Sequence, residues 1–280
     1  MKKVIFFALC VFISIQVQAQ KSVRISYDLK PGMSFDISKT SKETTVINLT
    51  GDEKMINQAK KEGAQFPSTE IEELKEQYTI NWKEGINKNL NFSLDLVKNE
   101  EKKLKDKKLL STNSEKASID VAFGVLDERT GLKINRIINQ NFKPFSSEVE
   151  KMLINLFRED AKNVKLTKVN DATISEDSRE MEFSKDSKVD LTTKEEFKLV
   201  KIENGKAYLT KTSIITSVST AKKYAELNSK GLIEMIYNIE QKYIESIEGT
   251  VNVLIKHGID GNIIINTAIE NYHKIVSKKK

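Results

Sequence analysis

A two-residue Asn-Gly turn between two long runs of β-forming residues is the strongest constraint on the fold of this chain. Asn204 and Gly205 divide the segment EEFKLVKIENGKAYLTKTSIITSVS, residues 195–219. Both residue types accept the positive φ angles that a type I′ turn requires, and the twist of this turn matches that of the strands it joins. The segment is therefore predicted to be an antiparallel β-hairpin.

The turn also sets the register of this hairpin, with Glu203 opposite Lys206. The pairs predicted on one face are Ile202/Ala207, Val200/Leu209 and Lys198/Lys211, and those on the other are Lys201/Tyr208, Leu199/Thr210 and Phe197/Thr212. Large apolar residues fall on both faces. Because a sheet with one solvated face carries apolar residues on one side only, this sheet is predicted to be covered on both sides.

The N-terminus has the features of a secretory signal. A basic start, MKK, precedes an apolar run over residues 4–13, and the segment ends in Val17-Gln18-Ala19, which suits signal peptidase. We expect cleavage after Ala19 and an exported mature chain, periplasmic or extracellular, that begins at Gln20. The apolar run is shorter than the ~20 residues that span a bilayer, so no transmembrane segment is predicted in the mature chain.

Composition narrows the possible partners. Cys10, the one cysteine, lies inside the apolar run, so the mature chain is expected to have no disulfide and no cysteine metal ligand. Loss of Lys2 and Lys3 lowers the net charge from +6 to +4, a weak excess spread over many alternating charges. With a single tryptophan and no interleaved basic and aromatic strips, the chain is not expected to bind nucleic acid.

Alternation of apolar and polar residues predicts further strands along the chain. They cover residues 23–29, 33–49, 78–82, 90–96, 117–123, 132–138, 164–169, 179–183 and a closing hairpin at 251–271 around Asp260-Gly261. Residues 170–178 are predicted to be loop. The charge run at residues 98–108 is interpreted as an exposed strand end or loop in preference to a basic docking patch.

Helices are predicted at fewer places. Residues 147–161 give the clearest one, with Ser147 and Glu150 as a capping box. Its apolar residues form one stripe: Val149, Met152, Leu153, Leu156 and Phe157. Short helices are also expected at 53–62 and, capped by Ser68 or Thr69, at 70–77. Residues 220–248 fit both patterns, with helix favoured as far as Gln241 and strand after it, and the tail 278–280 is expected to fray.

Together these elements predict a mainly β (α+β) fold, a large curved antiparallel sheet or half-barrel with one or two packing helices. Residues 20–280 are predicted to form a single β-rich domain. Two similar halves, about 20–140 and 163–280, joined by the helix at 147–161, are the alternative organisation.

The stretch YDLKPGMSF (residues 27–35), the Thr/Ser-rich strand after it and the hairpin at 258–262 resemble a family of uncharacterised exported β-rich proteins. That family is similar in architecture to the half-barrels of periplasmic lipoprotein carriers, which implies an apolar concave face. It has no known catalytic residues, so the resemblance supplies none. The chain departs from the family pattern in its Lys-rich segment and in residues 220–248.

Candidate catalytic groups are few. The predicted register places His257 and His273 roughly 30 Å apart along a strand, so no shared metal is expected and both are interpreted as surface histidines. Ser219 and Lys222 match the S-x-x-K spacing of serine acyl-enzymes, but no companion motif is present and Ser219 is interpreted as a helix cap. No catalytic residue, metal ligand or cofactor is assigned, and the ligand-binding residues are unknown.

Two functions remain open on the sequence. The first is an exported, non-enzymatic binding protein that holds an apolar or amphipathic ligand, such as a lipid, on a concave sheet face; a fully packed sandwich core explains the same apolar pattern equally well. The alternative is an envelope structural or interaction protein that docks on a partner through sheet edges and basic segments.

Overall fold

The computed structural model describes residues 23–25, 27–85, 90–115, 119–127, 131–138, 140–157, 165–166, 168–184, 187–219, 225–258 and 263–280. The predicted signal segment (1–19), the last residues of the predicted helix (158–161) and the Asp260-Gly261 turn lie outside this part of the chain. Among the described residues, no helix is long and apolar enough to cross a membrane.

Fourteen strands and two α-helices make up the described chain. The strands are β1 Val23–Arg24, β2 Ser34–Gly51, β3 Ser68–Glu84, β4 Leu90–Lys105, β5 Lys108–Glu115, β6 Ile119–Asp127, β7 Gly131–Ile137, β8 Lys165–Leu166, β9 Ala172–Ser184, β10 Ser187–Glu203, β11 Lys206–Ser219, β12 Ala225–Asn238, β13 Tyr243–Gly258 and β14 Ile263–Lys279. The helices are α1 Glu53–Lys61 and α2 Ser146–Phe157, the latter preceded by a 3-10 turn, Gln140–Phe145.

Twelve of these strands form one antiparallel sheet in the order β7-β6-β4-β3-β2-β14-β13-β12-β11-β10-β9, with β5 next to β4. Among the described residues, β7 and β9 are the two ends of this sheet, and β1 and β8 form a separate two-stranded ladder. The prediction of a mainly β fold, a large curved antiparallel sheet with few helices, is confirmed. The interpretation as two similar halves stays a prediction.

The first and last long strands meet in the middle of this sheet. β2 pairs with β14 from Phe35 opposite Lys279 to Gly51 opposite Ile263. The ladder continues to the end of the chain, where the Lys280 N–H donates to the Ser34 carbonyl at 3.0 Å. The prediction of a frayed tail is therefore wrong, because the backbone of these lysines extends the sheet.

Helix α2 shows that the sheet is curved. It contacts both β7 and β13, which are the first and seventh strands in the sheet order. At ~4.8 Å between neighbouring strands, a flat sheet would hold these two about 29 Å apart, more than the ~18 Å length of this 12-residue helix. The sheet therefore wraps around α2, and we call the face that carries the helix the inner face.

The hydrophobic core lies between α2 and the inner face. Phe157 packs edge-to-face against Phe35 at 5.0 Å and against Trp82 at 5.5 Å between ring centroids. Trp82 also packs against Phe92 at 5.4 Å. Such pairs add specific aromatic contacts to the apolar area that they bury. This end of the inner face is filled by the protein's own side chains.

The opposite, outer face is open to solvent. Apolar side chains do lie on it, as the sequence pattern indicated, but they are between 36% and 48% exposed: Val200, Ile214, Leu232, Leu254 and Val276. The prediction that both faces are covered is therefore wrong in the described part of the chain. The apolar pattern on two sides reflects one packed face and one exposed face.

The Asn-Gly hairpin is present with a shift in register. Asn204 and Gly205 have φ angles of 51° and 72°, as a type I′ turn requires. The predicted pairs hold as far as Lys201 opposite Tyr208. A β-bulge at Val200 then moves Leu199 opposite Leu209. The predicted pairs Val200/Leu209, Lys198/Lys211, Leu199/Thr210 and Phe197/Thr212 are wrong for this reason.

Both helices are close to their predicted positions. Helix α1 is capped by Asp52, whose Oδ1 accepts the Lys54 N–H at 2.8 Å. Helix α2 begins at Ser146. The predicted capping box is wrong, because the Glu150 carboxylate instead accepts the N–H of Ile134 in β7 at 2.9 Å. That bond ties the helix to the sheet.

Other segments predicted as helix or loop are strands. Residues 70–77 lie in β3, 170–178 largely in β9 and 225–238 in β12, whereas only Val23–Arg24 of the first predicted strand is paired. In β3 the carboxylates of this segment lie across from lysines of β4, as with Glu70 opposite Lys105. Cross-strand charge pairs stabilise a sheet as i,i+4 pairs stabilise a helix, so the local pattern favoured the wrong element.

Gly124 provides a test of the core packing. It lies opposite Phe92, and a Cβ there would overlap the Phe92 ring and the Lys133 carbonyl oxygen. We expect Gly124→Ala to lower the free energy of unfolding by about 1–3 kcal/mol, measured by denaturant titration with the fluorescence of the single tryptophan. Gly231→Ala is the control, because its Cβ would lie 3.2 Å from a movable Val251 methyl group. Equal losses would contradict the overlap.

Candidate functional site

Beyond the core, the inner face opens into a cleft of about 950 Å³ between α2 and strands β2, β3, β4, β5 and β14. The apolar residues that line it adjoin the core: Leu74, Tyr78, Leu96, Met152 and Ile275. The walls carry charged and amide side chains from both sheet and helix. We call this space the inner cleft.

Strand alternation explains the composition of the inner cleft. Along β2 the residues that point inward begin with Phe35 and Ile37, which are buried in the core, and continue with Lys39, Ser41 and Glu43. The inward series of β3 changes in the same way, from Ile80 and Tyr78 to Glu76, Leu74 and Glu72. Inward-pointing residues recur at every second position of a strand. The change from apolar to polar residues along these positions therefore turns the inner face from core into cleft.

Helix α2 contributes to the core and to the cleft through adjacent stripes. Val149, Leu153 and Leu156 are buried against the sheet. Glu148, Lys151 and Asn155 lie three and four positions apart and line the cleft. One element thus completes the core and forms one wall of the cleft.

A buried ion pair stands at the boundary between core and cleft. Lys39 Nζ lies 2.8 Å from Glu76 Oε2, with side-chain exposures of only 15% and 7%. The Tyr78 hydroxyl donates to Glu76 Oε1 at 2.6 Å. Burial, and then the neighbouring Glu76 charge, raise the pKa of Tyr78, so the hydroxyl stays a hydrogen-bond donor. The carboxylate is held by two partners at once.

A second, more exposed charge cluster lies further along the cleft. Lys103 Nζ is 3.0 Å from Glu72 Oε1 and 3.1 Å from Glu101 Oε1. The hydrogen bond with Glu72 contributes most to the raised pKa of Lys103. Glu43 accepts a hydrogen bond from the Asn271 amide at 3.2 Å. The charges of the cleft are therefore bound largely to one another.

His273 also lines the inner cleft. It lies on β14 opposite Ser41 of β2, and its side chain is half-buried. Burial, with a smaller effect of the Lys39 charge, lowers the pKa of His273 below its usual 6.5. The interpretation of both histidines as surface residues is wrong, since His257 is half-buried too and its Nδ1 is buried without a hydrogen-bond partner in the described structure.

The structure does not bring the two histidines together. His257 lies opposite Ile265, one position from the predicted Ile264, and Ile265 is eight residues from His273 on the same strand. That corresponds to roughly 26 Å. Across the described ranges, no group of three or more potential His, Cys, Asp or Glu ligands is close enough to hold a metal ion.

The structure does not support the candidate pair Ser219 and Lys222 as a catalytic motif or Ser219 as a helix cap. Ser219 ends strand β11 opposite Val189, so it is not a helix cap, and Lys222 lies outside the described residues.

The charge run at 98–108 forms the end of β4, a turn and the start of β5, which confirms its interpretation as an exposed strand end. Three of its lysines pair with glutamates: Lys98 with Glu100 at 2.8 Å, Lys105 with Glu70 at 2.9 Å, and Lys103 with Glu72 and Glu101 as described above.

A second concavity lies on the sheet and crosses β2, β14, β13, β12 and β11. This groove has a volume of about 490 Å³ and includes the apolar side chains of Val46, Ile214, Leu254 and Ala268. It is smaller than the inner cleft. No residue of the ion pairs described above lines this groove.

Comparison with known proteins adds little. No family model matches the chain, and no curated protein matches it. An outer membrane channel from Pseudomonas putida F1 aligns with a TM-score of 0.30 and 9% identity over 93% of this chain and 98% of its own. OccK7 (OpdD) of Pseudomonas aeruginosa aligns with a TM-score of 0.22 and 7% identity over 89% and 99%.

The buried ion pair yields a stability test. Glu76→Gln removes the negative charge and leaves the Lys39 ammonium in a site that is 15% exposed. We expect a loss of about 3 kcal/mol in the free energy of unfolding. Glu70→Gln on the same strand breaks a half-exposed pair with Lys105 and is expected to cost much less, because solvent screens that pair. Similar losses in denaturant titrations of the two variants would show that the Lys39–Glu76 pair is not effectively buried.

His273 predicts a dependence of stability on pH. Because its folded pKa is lowered, its contribution is fully present above the unfolded value of about 6.5 and is lost as the pH falls below that value towards the folded pKa. Wild-type protein should therefore lose more stability than His273→Gln between about pH 7.5 and pH 5.5. Denaturant titrations at both pH values measure the difference. An identical pH dependence of the two proteins would exclude this role of His273.

Proposed function

We propose that this protein is an exported, non-enzymatic binding protein whose inner cleft holds an amphipathic ligand. One observation carries the proposal: an open cleft of about 950 Å³ joins apolar residues to charged and amide side chains. Ligand sites for small molecules are concave, have volumes of about 300–1,000 Å³ and combine apolar walls with a few placed polar groups.

The core packing argues against a purely apolar ligand on the whole concave face. Near α2 the inner face is occupied by Phe35 and Trp82, both of which contact Phe157 of the helix. A ligand has room only beyond them, where charges line the walls. Its apolar part would lie against residues such as Leu74 and Leu96, and its polar part would face the charged walls.

The balance of charge favours a ligand head group that donates hydrogen bonds or carries positive charge. Six glutamates line the cleft, Glu43, Glu72, Glu73, Glu76, Glu101 and Glu148, against three lysines, Lys39, Lys103 and Lys151. The chain as a whole has the opposite sign, with a net charge of +6. The cleft is therefore locally negative although the chain is positive overall. This negative field favours ligands whose head groups carry positive charge or donate hydrogen bonds.

A non-enzymatic role is supported by the way in which the polar groups bond to one another. Lys39, Glu76 and Tyr78 form a closed set of contacts, and Lys103 binds two carboxylates. General acid–base catalysis needs a group within reach of the substrate and able to exchange a proton. Export is supported by the N-terminal leader pattern. Docking through the basic segment at 98–108 has less support, because lysines of that segment pair within the sheet.

Filling the cleft tests this function. Asn155 is exposed on α2 and lines the cleft, so Asn155→Trp should block it without disturbing the core. The probe is dodecylamine with a dansyl group at the end of its chain. We expect saturable binding to wild-type protein, and affinity lowered by about tenfold or more in Asn155→Trp, equivalent to at least ~1.4 kcal/mol.

The matched control is Ser147→Trp, which adds the same ring at an exposed position of the same helix outside the set of cleft-lining residues. It should bind the probe as wild-type protein does. Dodecanoic acid labelled in the same way should bind more weakly, because its head group is negative. Equal binding of the amine probe by both tryptophan variants, or no saturable binding to wild-type protein, would contradict the proposal.

A further inference from the structure

Strand β5 leaves part of one sheet edge unpaired. β4 pairs with β6 over Leu90–Leu96 and with β5 over Asn99–Lys105. β7 covers β6 but stops opposite Ala122, and within the described chain β5 pairs with β4 alone. In the described structure, residues 108–114 of β5 are exposed, and one side of their backbone has no strand partner. Such an edge is a template for a further strand.

This edge is held in a fixed position. The turn between β4 and β5 carries positive φ angles at Asp106 and Lys107, of 47° and 68°. Asp106 Oδ1 accepts the Thr69 N–H at 2.8 Å, and the Asp106 N–H donates to the Thr69 carbonyl at 2.8 Å. The hairpin tip is therefore bonded to β3, and β5 is ordered before any partner arrives.

The edge also carries exposed apolar residues. Leu109 and Leu110 are 58% and 63% exposed. Leu109 lies opposite Leu104 and Ser111 opposite Lys103, so Leu110 is the extra residue of a β-bulge. Lysines and bulges commonly protect edge strands, but two exposed leucines do the reverse and favour burial against a partner.

The residue types of β5 are complementary to β5 itself. The strand begins with Lys108 and ends with Glu115, and the six residues between them are uncharged. In an antiparallel pair about a two-fold axis between Ser111 and Thr112, the Lys108 end of β5 in each copy lies against the Glu115 end of β5 in the other, within one position of direct opposition because of the bulge at Leu110. Opposite residues of opposite charge stabilise such a pair, and a two-fold axis supplies the arrangement twice.

The other edges do not share this property. β9 carries Glu176, Asp177 and Glu180 against a single Arg179 in its exposed stretch, so pairing with itself would oppose carboxylates. β7 is basic at both Lys133 and Arg136. β7 ends before it reaches β5, so the sheet edge has a step at that point. In the two-fold arrangement, the step in each copy leaves space for the β4–β5 turn of the other copy.

We propose that two copies of this chain associate through their β5 edges in an antiparallel pair, which joins their sheets across a two-fold axis. The association is β-strand addition with the chain as its own partner. Asn113 of β5 lines the inner cleft, so the seam would run beside the cleft in each copy. The pairing does not depend on the proposed ligand.

Cysteine cross-linking tests the register. In a Cys10→Ser background, Ser111→Cys and Thr112→Cys are combined, which places each new thiol opposite the other in the second copy. Opposite Cβ atoms in an antiparallel pair are about 4.5–5.5 Å apart, close to disulfide reach. We expect a covalent dimer under mild oxidation. Ser114→Cys in the same background is the control, because its two equivalents would lie five residues apart, roughly 17 Å, and should not cross-link.

Sedimentation velocity tests the association without new thiols. Wild-type protein should show a dimer that dissociates on dilution. Combining Leu109→Lys with Leu110→Lys removes the apolar contact and adds like charges, and should weaken the dimer by about tenfold or more. Ile174→Lys, at a 60% exposed position on the opposite edge, should leave it unchanged. A monomeric wild-type protein, equal cross-linking of Ser114→Cys, or dimer loss in Ile174→Lys would overturn the proposal.

Discussion

The packing of one helix against the first and seventh strands of the sheet determines the shape of this protein. Phe157 of α2 meets Phe35 and Trp82, while Glu150 accepts a hydrogen bond from Ile134 near the sheet edge. A flat sheet would hold β7 and β13 too far apart for α2 to contact both of them. The curvature brings the inward side chains of distant strands around the helix, so the same contacts that bury the core also create the concave space beyond it.

Local chemistry in the sequence predicts the parts of the fold that depend on neighbouring residues. Asn204-Gly205 predicts its hairpin because the turn geometry needs those residue types, and the stripe from Val149 to Phe157 predicts α2 because one face must be buried. Parts that depend on distant strands were missed. The glutamates of β3 fit a helix as well as a sheet until the lysines of β4 are known to lie across from them, and no local signal marks the bulge at Val200.

The sequence likewise predicts one part of the candidate site and not another. The change along β2 from Phe35 and Ile37 to Lys39 and Glu43 is visible in the sequence as a period of two, and it marks where the inner face stops being core. The neighbours of these residues could not be found from that pattern. His273 reaches the cleft only because the last strand pairs with β2, a contact between opposite ends of the chain. The period of two along a strand therefore identifies which face is polar. The strand order of the sheet decides which residues meet on that face.

The Lys39–Glu76 pair has a physical role beyond its own stability. A buried ion pair is rarely more stable than a well-packed apolar pair of the same volume, because both charges lose their hydration. Apolar residues at these two positions would continue the core along the inner face towards α2. The charged pair ends the core at Tyr78 instead, since its hydrogen bonds hold both side chains against the strands. The cleft remains open because Lys39 and Glu76 bond to each other at its inner end and leave the space beyond them unfilled.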